Sequence, residues 1–161
     1  DNHTESGILY HLYEVHKDAD VLLHLGDSEF EYNDTELSLY RRVKGNCDFY
    51  PEFPNEEEVE IKGIKAIYTH GHLYSVNQTR MHLAQKAKSQ GCQFAFYGHT
   101  HVAKYEYLDG VHVINPGSIS QSRSSIEESF TELVIDEVNG SAILNYRNRD
   151  NHIIETIEFE V

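Results

Sequence analysis

Positive charge is scarce in this sequence: 13 Lys and Arg residues stand against 27 Asp and Glu, a formal net charge of −14 over 161 residues. Sequence-independent binding to a phosphate backbone draws its affinity from Lys and Arg, so no nucleic-acid groove is expected. A phosphate-bearing ligand would then need a local positive charge from elsewhere, such as bound metal ions. Cysteine is scarce too. Cys47 and Cys92 stand far apart and match no zinc or redox spacing, which argues against a disulfide framework and for a reducing, cytoplasmic compartment. No apolar run approaches the roughly 18 residues of a membrane helix, and no long low-complexity tract points to disorder. The chain opens at Asp1 without an initiator Met, so a removed targeting segment stays compatible with it.

What remains is a single domain, 1–161, long enough to bury roughly two-thirds of its unfolded surface. Ile8, Leu9, Leu12, Val15 and His16 recur at helical spacing and predict a helix from about Glu5 to Lys17, with Thr4 as its cap. A second helix is expected over Asn77–Gln90, with Met81, Ala84 and Ala87 on one stripe and Gly91 as its stop. Five strand-like runs end in polar punctuation. Val21–Leu25 leads to Gly26-Asp27, Arg42–Lys44 to Gly45-Asn46-Cys47-Asp48, and Ala66–Thr69 to His70-Gly71-His72. Phe94–Tyr97 leads to Gly98-His99-Thr100-His101, and Val111–Ile114 to Asn115-Pro116-Gly117-Ser118. After Phe130 three runs, around Leu133, Ala142–Tyr146 and Ile153–Phe159, read as antiparallel strands with a hairpin at Asn139-Gly140. The acidic stretch Glu56-Glu57-Glu58 reads as an exposed loop.

Ligands of α/β sheets bind beyond the carboxyl ends of the strands, where these motifs fall. Asp1, His3, Asp27, Asn46, His70, His99 and His101 supply seven hard or borderline N and O donors, enough for two metals sharing one carboxylate. A His/Asp/Asn set without paired thiolates suits manganese, iron, nickel or zinc. In extended chain, His99 and His101 at i, i+2 point to one side, as do Asp1 and His3. Singly, each piece has a plainer reading: Gly-Asp is an ordinary turn, and His-x-His is a coincidence to be expected in a chain of 11 histidines. Agreement among several strand ends favours the metal site.

The ordered set Asp1-x-His3, Gly26-Asp27, Gly45-Asn46-Cys47-Asp48, Thr69-His70-Gly71-His72 and Gly98-His99-Thr100-His101 resembles the calcineurin-like metallophosphoesterase superfamily. The likeness runs from Asp1 to about Arg123. With Asn115-Pro116-Gly117-Ser118, it is similar to the small single-domain bacterial and archaeal phosphodiesterases, to which the retromer subunit twenty-nine fold is related. The resemblance implies a four-layer α/β/β/α sandwich and two divalent cations, manganese favoured. Asp1, His3, Asp27 and His101 would hold the first, and Asp27, Asn46, His70 and His99 the second, Asp27 bridging. It also implies a strand ahead of Asp1. Cys47 stands where many members carry a His that assists the leaving group, and is expected near the scissile phosphate without ligating. Its alternative is a small packing residue. His72 is expected beside the metals as a phosphate contact or a partner to a ligand, and Arg123 on a nonbridging phosphate oxygen.

Two cations roughly 3.5–4 Å apart acidify a bridging water and offset charge on the attacking and leaving oxygens. The expected activity is hydrolysis of a small phosphodiester by that hydroxide, and a homo-oligomer is compatible with it. The alternatives are a non-catalytic protein-interaction scaffold on the same fold and a nucleotide phosphomonoesterase.

Overall fold

Alternation of apolar side chains along short strands determines the layering, which a computed structural model shows for all 161 residues. The strands are β1 (Leu23–His24), β2 (Arg41–Arg42), β3 (Glu56–Ile61), β4 (Ile64–Thr69), β5 (Phe94–Phe96), β6 (Lys104–Leu108), β7 (Val111–Asn115), β8 (Ser129–Asp136), β9 (Ser141–Asn148) and β10 (Ile153–Glu160). The helices are α1 (Ile8–Val15) and α2 (Met81–Ser89). One sheet has the order β3-β4-β5-β7-β6, with β4, β5 and β7 parallel at its centre and antiparallel strands at both edges. Its side chains divide by the two-residue period. Ile67, Ala95 and Val113 pack with Leu83, Ala84 and Ala87 of α2, whereas Ala66, Phe94 and Ile114 face the other way.

On that second face they meet Leu144 and Tyr146 of the antiparallel sheet β8-β9-β10, together with Leu25 and Val43 beside the parallel β1-β2 ladder. Helix α1 closes the far side, where Ile8, Leu9 and Leu12 pack with Leu37, Tyr40 and Ile119. The layers run α2, sheet, sheet, α1: the four-layer α/β/β/α sandwich expected from the sequence. An apolar slot of about 460 Å³ separates β1 from β8, lined by Leu22, Leu23, Phe94, Phe96, Leu133 and Ile135 among others. The facing edges of β1 and β8 have no strand between them.

Several local expectations are corrected. Glu56-Glu57-Glu58 is no loop but the start of edge strand β3, paired with Thr69, Tyr68 and Ile67; carboxylates on an edge discourage pairing with another chain. Strand β6 went unread, although the Asp109-Gly110 turn that joins it to β7 has φ of 52° and 80°, the left-handed pair of a tight hairpin. In α2 the buried residues are Leu83, Ala84 and Ala87, and Met81 lies at the surface. Gly91, with φ +75°, follows the helix end as expected. Thr4 does not cap α1.

The α1 N-terminus is satisfied from a distance. Gly7 occupies the cap position without a side-chain bond, and the Glu36 carboxylate accepts the N–H groups of Gly7, Leu9 and Tyr10 at 2.9–3.1 Å. A carboxylate there meets both the unpaired donors and the positive end of the helix dipole. Because Glu36 is buried, Glu36→Ala is expected to cost about 2 kcal/mol of stability. A lower urea midpoint with an unchanged slope checks it; an unchanged midpoint refutes it.

Candidate metal centre

The polar segments beyond β1, β2, β4 and β5 converge with residues 1–4 on one edge of the sandwich. The chain reverses so tightly there that four of the expected ligands adopt left-handed backbone: His3 at φ 38°, Asp27 at 61°, His99 at 71° and His101 at 60°. Such conformations cost free energy in non-glycine residues and gather where a site is held under constraint. The i, i+2 argument for His99 and His101 assumed extended chain, and that premise fails. They still reach adjacent groups, because each bends separately. Glycine is required where backbone meets ligand: a Cβ at Gly45 would lie 2.0 Å from Asp27 Oδ1, and one at Gly98 would lie 2.8 Å from Asp1 Oδ2.

All seven expected donors come together. Asp1, His3 and His101 form one group with ligand atoms within 4.8 Å of one another, and Asp27, His70 and His99 form another. Asn46 joins the second through Oδ1, 2.9 Å from His70 Nε2 and 3.0 Å from His99 Nδ1. Hydrogen bonds decide which ring nitrogens face inward. His70 Nδ1 donates to Leu25 O at 2.7 Å and His101 Nδ1 to Gln121 O at 2.8 Å. Carbonyls only accept, so the inward Nε2 of each neutral ring carries a lone pair. His3 Nδ1 donates to the Glu29 carboxylate at 3.0 Å, and its Nε2 likewise faces in.

Acceptor therefore meets acceptor throughout. His3 Nε2 and His101 Nε2 are 3.1 Å apart, and His70 Nε2 is 3.1 Å from Asp27 Oδ2. Buried Asp1 Oδ1 has no hydrogen-bond partner, yet stands 3.6 Å from His101 Nε2 and 3.7 Å from His3 Nε2. Lone pairs packed so closely repel unless cations lie among them, and the donor set fits divalent metals of the manganese-to-zinc class. Burial foremost pushes the His99 and His101 pKa values below the ordinary imidazole range, which keeps both rings in the ligating form. Burial opposes ionisation of Asp27, and positive charge on the side of His70, with the Cys47 N–H and His3, carries its carboxyl well below the usual range.

Cys47 is exposed; its N–H donates to Asp27 Oδ1 at 2.8 Å, and its Sγ lies within 4.8 Å of ligand atoms of His3 and Asp27. Burial, then the carboxylates of Asp27 and Glu29, push its thiol pKa up. The His72 ring centroid is 5.4 Å from that of His70, and its buried Nδ1 has no partner. Arg123 is exposed; its N–H donates to His101 O at 2.9 Å, and its charge lowers the pKa values of His99 and His101.

Sequence reasoning missed the supports. Buried Asp48 accepts the N–H groups of Asp27 at 2.8 Å, Gly45 at 2.7 Å and Glu29 at 2.8 Å, clamping two ligand-bearing loops together. Its signal was a short carboxylate in a turn, the residue type that binds nearby backbone N–H groups. The turn after β7 is structural: Asn115 Nδ2 donates to Gly98 O at 3.1 Å, and Ser118 Oγ donates to Asp1 O at 2.8 Å. His24 bonds Asn2 Oδ1 at 2.8 Å and so anchors the segment bearing Asp1 and His3.

The family model described as the calcineurin-like phosphoesterase superfamily domain matches residues 1–138. A probable metallophosphoesterase of Bacillus subtilis, YsnB, is 35% identical over 144 residues, covering 89% of this chain and 84% of the relative. A predicted phosphoesterase of Streptococcus pneumoniae superposes with a TM-score of 0.93 at 31% identity, over 100% of this chain and 94% of that one. A zinc complex of Vps29 from Entamoeba histolytica superposes at 0.61 with 22% identity, over 78% and 73%, which is likeness of fold.

Asp48→Ala would leave two buried N–H groups, of Asp27 and Gly45, and the half-buried one of Glu29 without their acceptor. It is expected to destabilise the metal-free protein by about 3 kcal/mol and to weaken uptake of added manganese. Denaturation and metal titration of the same preparation test this, and unchanged stability with full metal binding would discard the clamp.

Proposed function

The chain belongs to the calcineurin-like phosphoesterase superfamily, and on that footing we propose that it is a phosphodiesterase working with two divalent cations. Asp1, His3, Asp27 and His101 would hold one, and Asp27, Asn46, His70 and His99 the other. The observation that carries this reading is the pair of lone-pair clusters, each built on a triad of ligand atoms, with Asp27 beside both. When bound, the cations neutralise the carboxylates and make a water acidic enough to attack phosphorus. Two dications set against Asp1, Asp27 and one hydroxide leave a single positive charge, which matches a monoanionic diester better than a dianionic monoester.

The chain's own groups do the rest. Asp27 is held rigid by the Cys47 N–H and by the Asp48 clamp on its own N–H. His72, beside His70, and the Arg123 guanidinium would serve the phosphate oxygens. The Cys47 thiol, kept protonated by burial and the carboxylates of Asp27 and Glu29, would pass its proton to the leaving oxygen. A pure scaffold would have no need to keep a competent donor at all seven positions.

Metal-free protein supplied singly with manganese, nickel, iron or zinc, then assayed on a chromogenic diester and the matching monoester, tests the reading. Diester turnover should return as two ions bind per chain, with manganese favoured. Faster monoester turnover would reverse the substrate preference, and two bound ions without hydrolysis would favour the scaffold. Cys47→Ser should slow diesters with poor leaving groups by about tenfold to a hundredfold, at or below the low end of general-acid assistance, and leave activated ones nearly unaffected. Equal dependence of rate on leaving-group pKa in parent and variant, at equal metal content, would remove Cys47 from the chemistry.

A further inference from the structure

Glu29 lies on the turn that follows Asp27, with φ +59° and its side chain 36% exposed. An exposed carboxylate–histidine pair contributes little to stability in water, so the contact with His3 does not by itself account for a strained backbone there. The turn is nevertheless tied down: the Glu29 N–H donates to Asp48 Oδ1 at 2.8 Å, on the carboxylate whose other oxygen holds Asp27 and Gly45. Strain persists only where surrounding structure over-determines it, and it marks places where a side chain has to be aimed.

The aim is at His3. Of the four imidazoles in the two clusters, His70 and His101 are backed by backbone carbonyls, His99 has the Asn77 amide 3.3 Å from its Nε2, and His3 alone is backed by a carboxylate. Taking the two-metal reading as its footing, we infer that Glu29 is a positioning residue for the first metal site, fixing the tautomer and ring plane of His3 and placing a negative charge behind that ligand. A carboxylate behind a ligating histidine strengthens it as a donor. The first site gathers the carboxylates of Asp1, Asp27 and Glu29, and the second has Asp27 alone. The two sites are thereby made unequal: the Asp1-His3-His101 site fills first and empties last.

Glu29→Gln keeps the size and an acceptor for the His3 N–H but removes the charge, while Glu29→Ala removes both. Manganese binding to parent and variants, measured by chelator competition, should show first-site affinity falling about 10- to 100-fold in Glu29→Ala, and less in Glu29→Gln. Anomalous diffraction from manganese-loaded crystals should show the loss confined to the site at Asp1, His3 and His101. The urea midpoint of the metal-free variants should match the parent's, because the role is exerted on the ion. Unchanged affinity in both variants, or equal loss at both sites, overturns the inference while leaving the two-metal reading intact. A parent that binds no divalent ion overturns both.

Discussion

Asp27 is the point on which the rest of the structure turns. Its carboxylate lies in a space that exists only because Gly45 has no side chain, and it is fixed by a backbone N–H from Cys47 while Asp48 holds its own N–H. Every other donor is placed with respect to it. His70 approaches one oxygen from β4, and His3 approaches the same oxygen from the N-terminal segment at 3.7 Å. The ionised form of a carboxylate so enclosed is favoured by positive charge beside it, which divalent cations of the kind the family uses would supply.

A chain of net charge −14 would repel phosphate over most of its surface, and bound divalent ions would invert the field locally. The nearby positive side chain, Arg123, sits on the loop that leaves His101. Stability is built away from this region. The apolar clusters lie between the sheets and beneath α1 and α2, so loops at the strand ends are free to adopt costly backbone without weakening the packing that holds them.

Much of the centre was legible in the sequence, because its ligands sit in short motifs directly after apolar runs. Gly-Asp, Gly-Asn-Cys-Asp and His-Thr-His keep their character whatever the surrounding fold. The backing groups were not legible. Leu25 O and Gln121 O set the tautomers of His70 and His101, and a carbonyl carries no residue signature. Glu29 and Asp48 were visible as acids, but an acid in a turn points many ways until the facing loop is in place. Among the elements, β3 was hidden because a run of Glu is more common in solvent than on a sheet edge.

The sequence by itself determined the donor types, their order along the chain and the glycines that let them converge, since these follow from local chemistry and from the two-residue period of the strands. Tertiary structure alone decided the rest: Glu36 at the head of α1, Asp48 across two loops, and the division of seven donors into two groups around Asp27. Each of these joins residues about 20 to 100 positions apart, and such contacts exist only after the sheets have paired, because the entropy of closing those loops is offset by burial of the core and not by the polar contacts themselves.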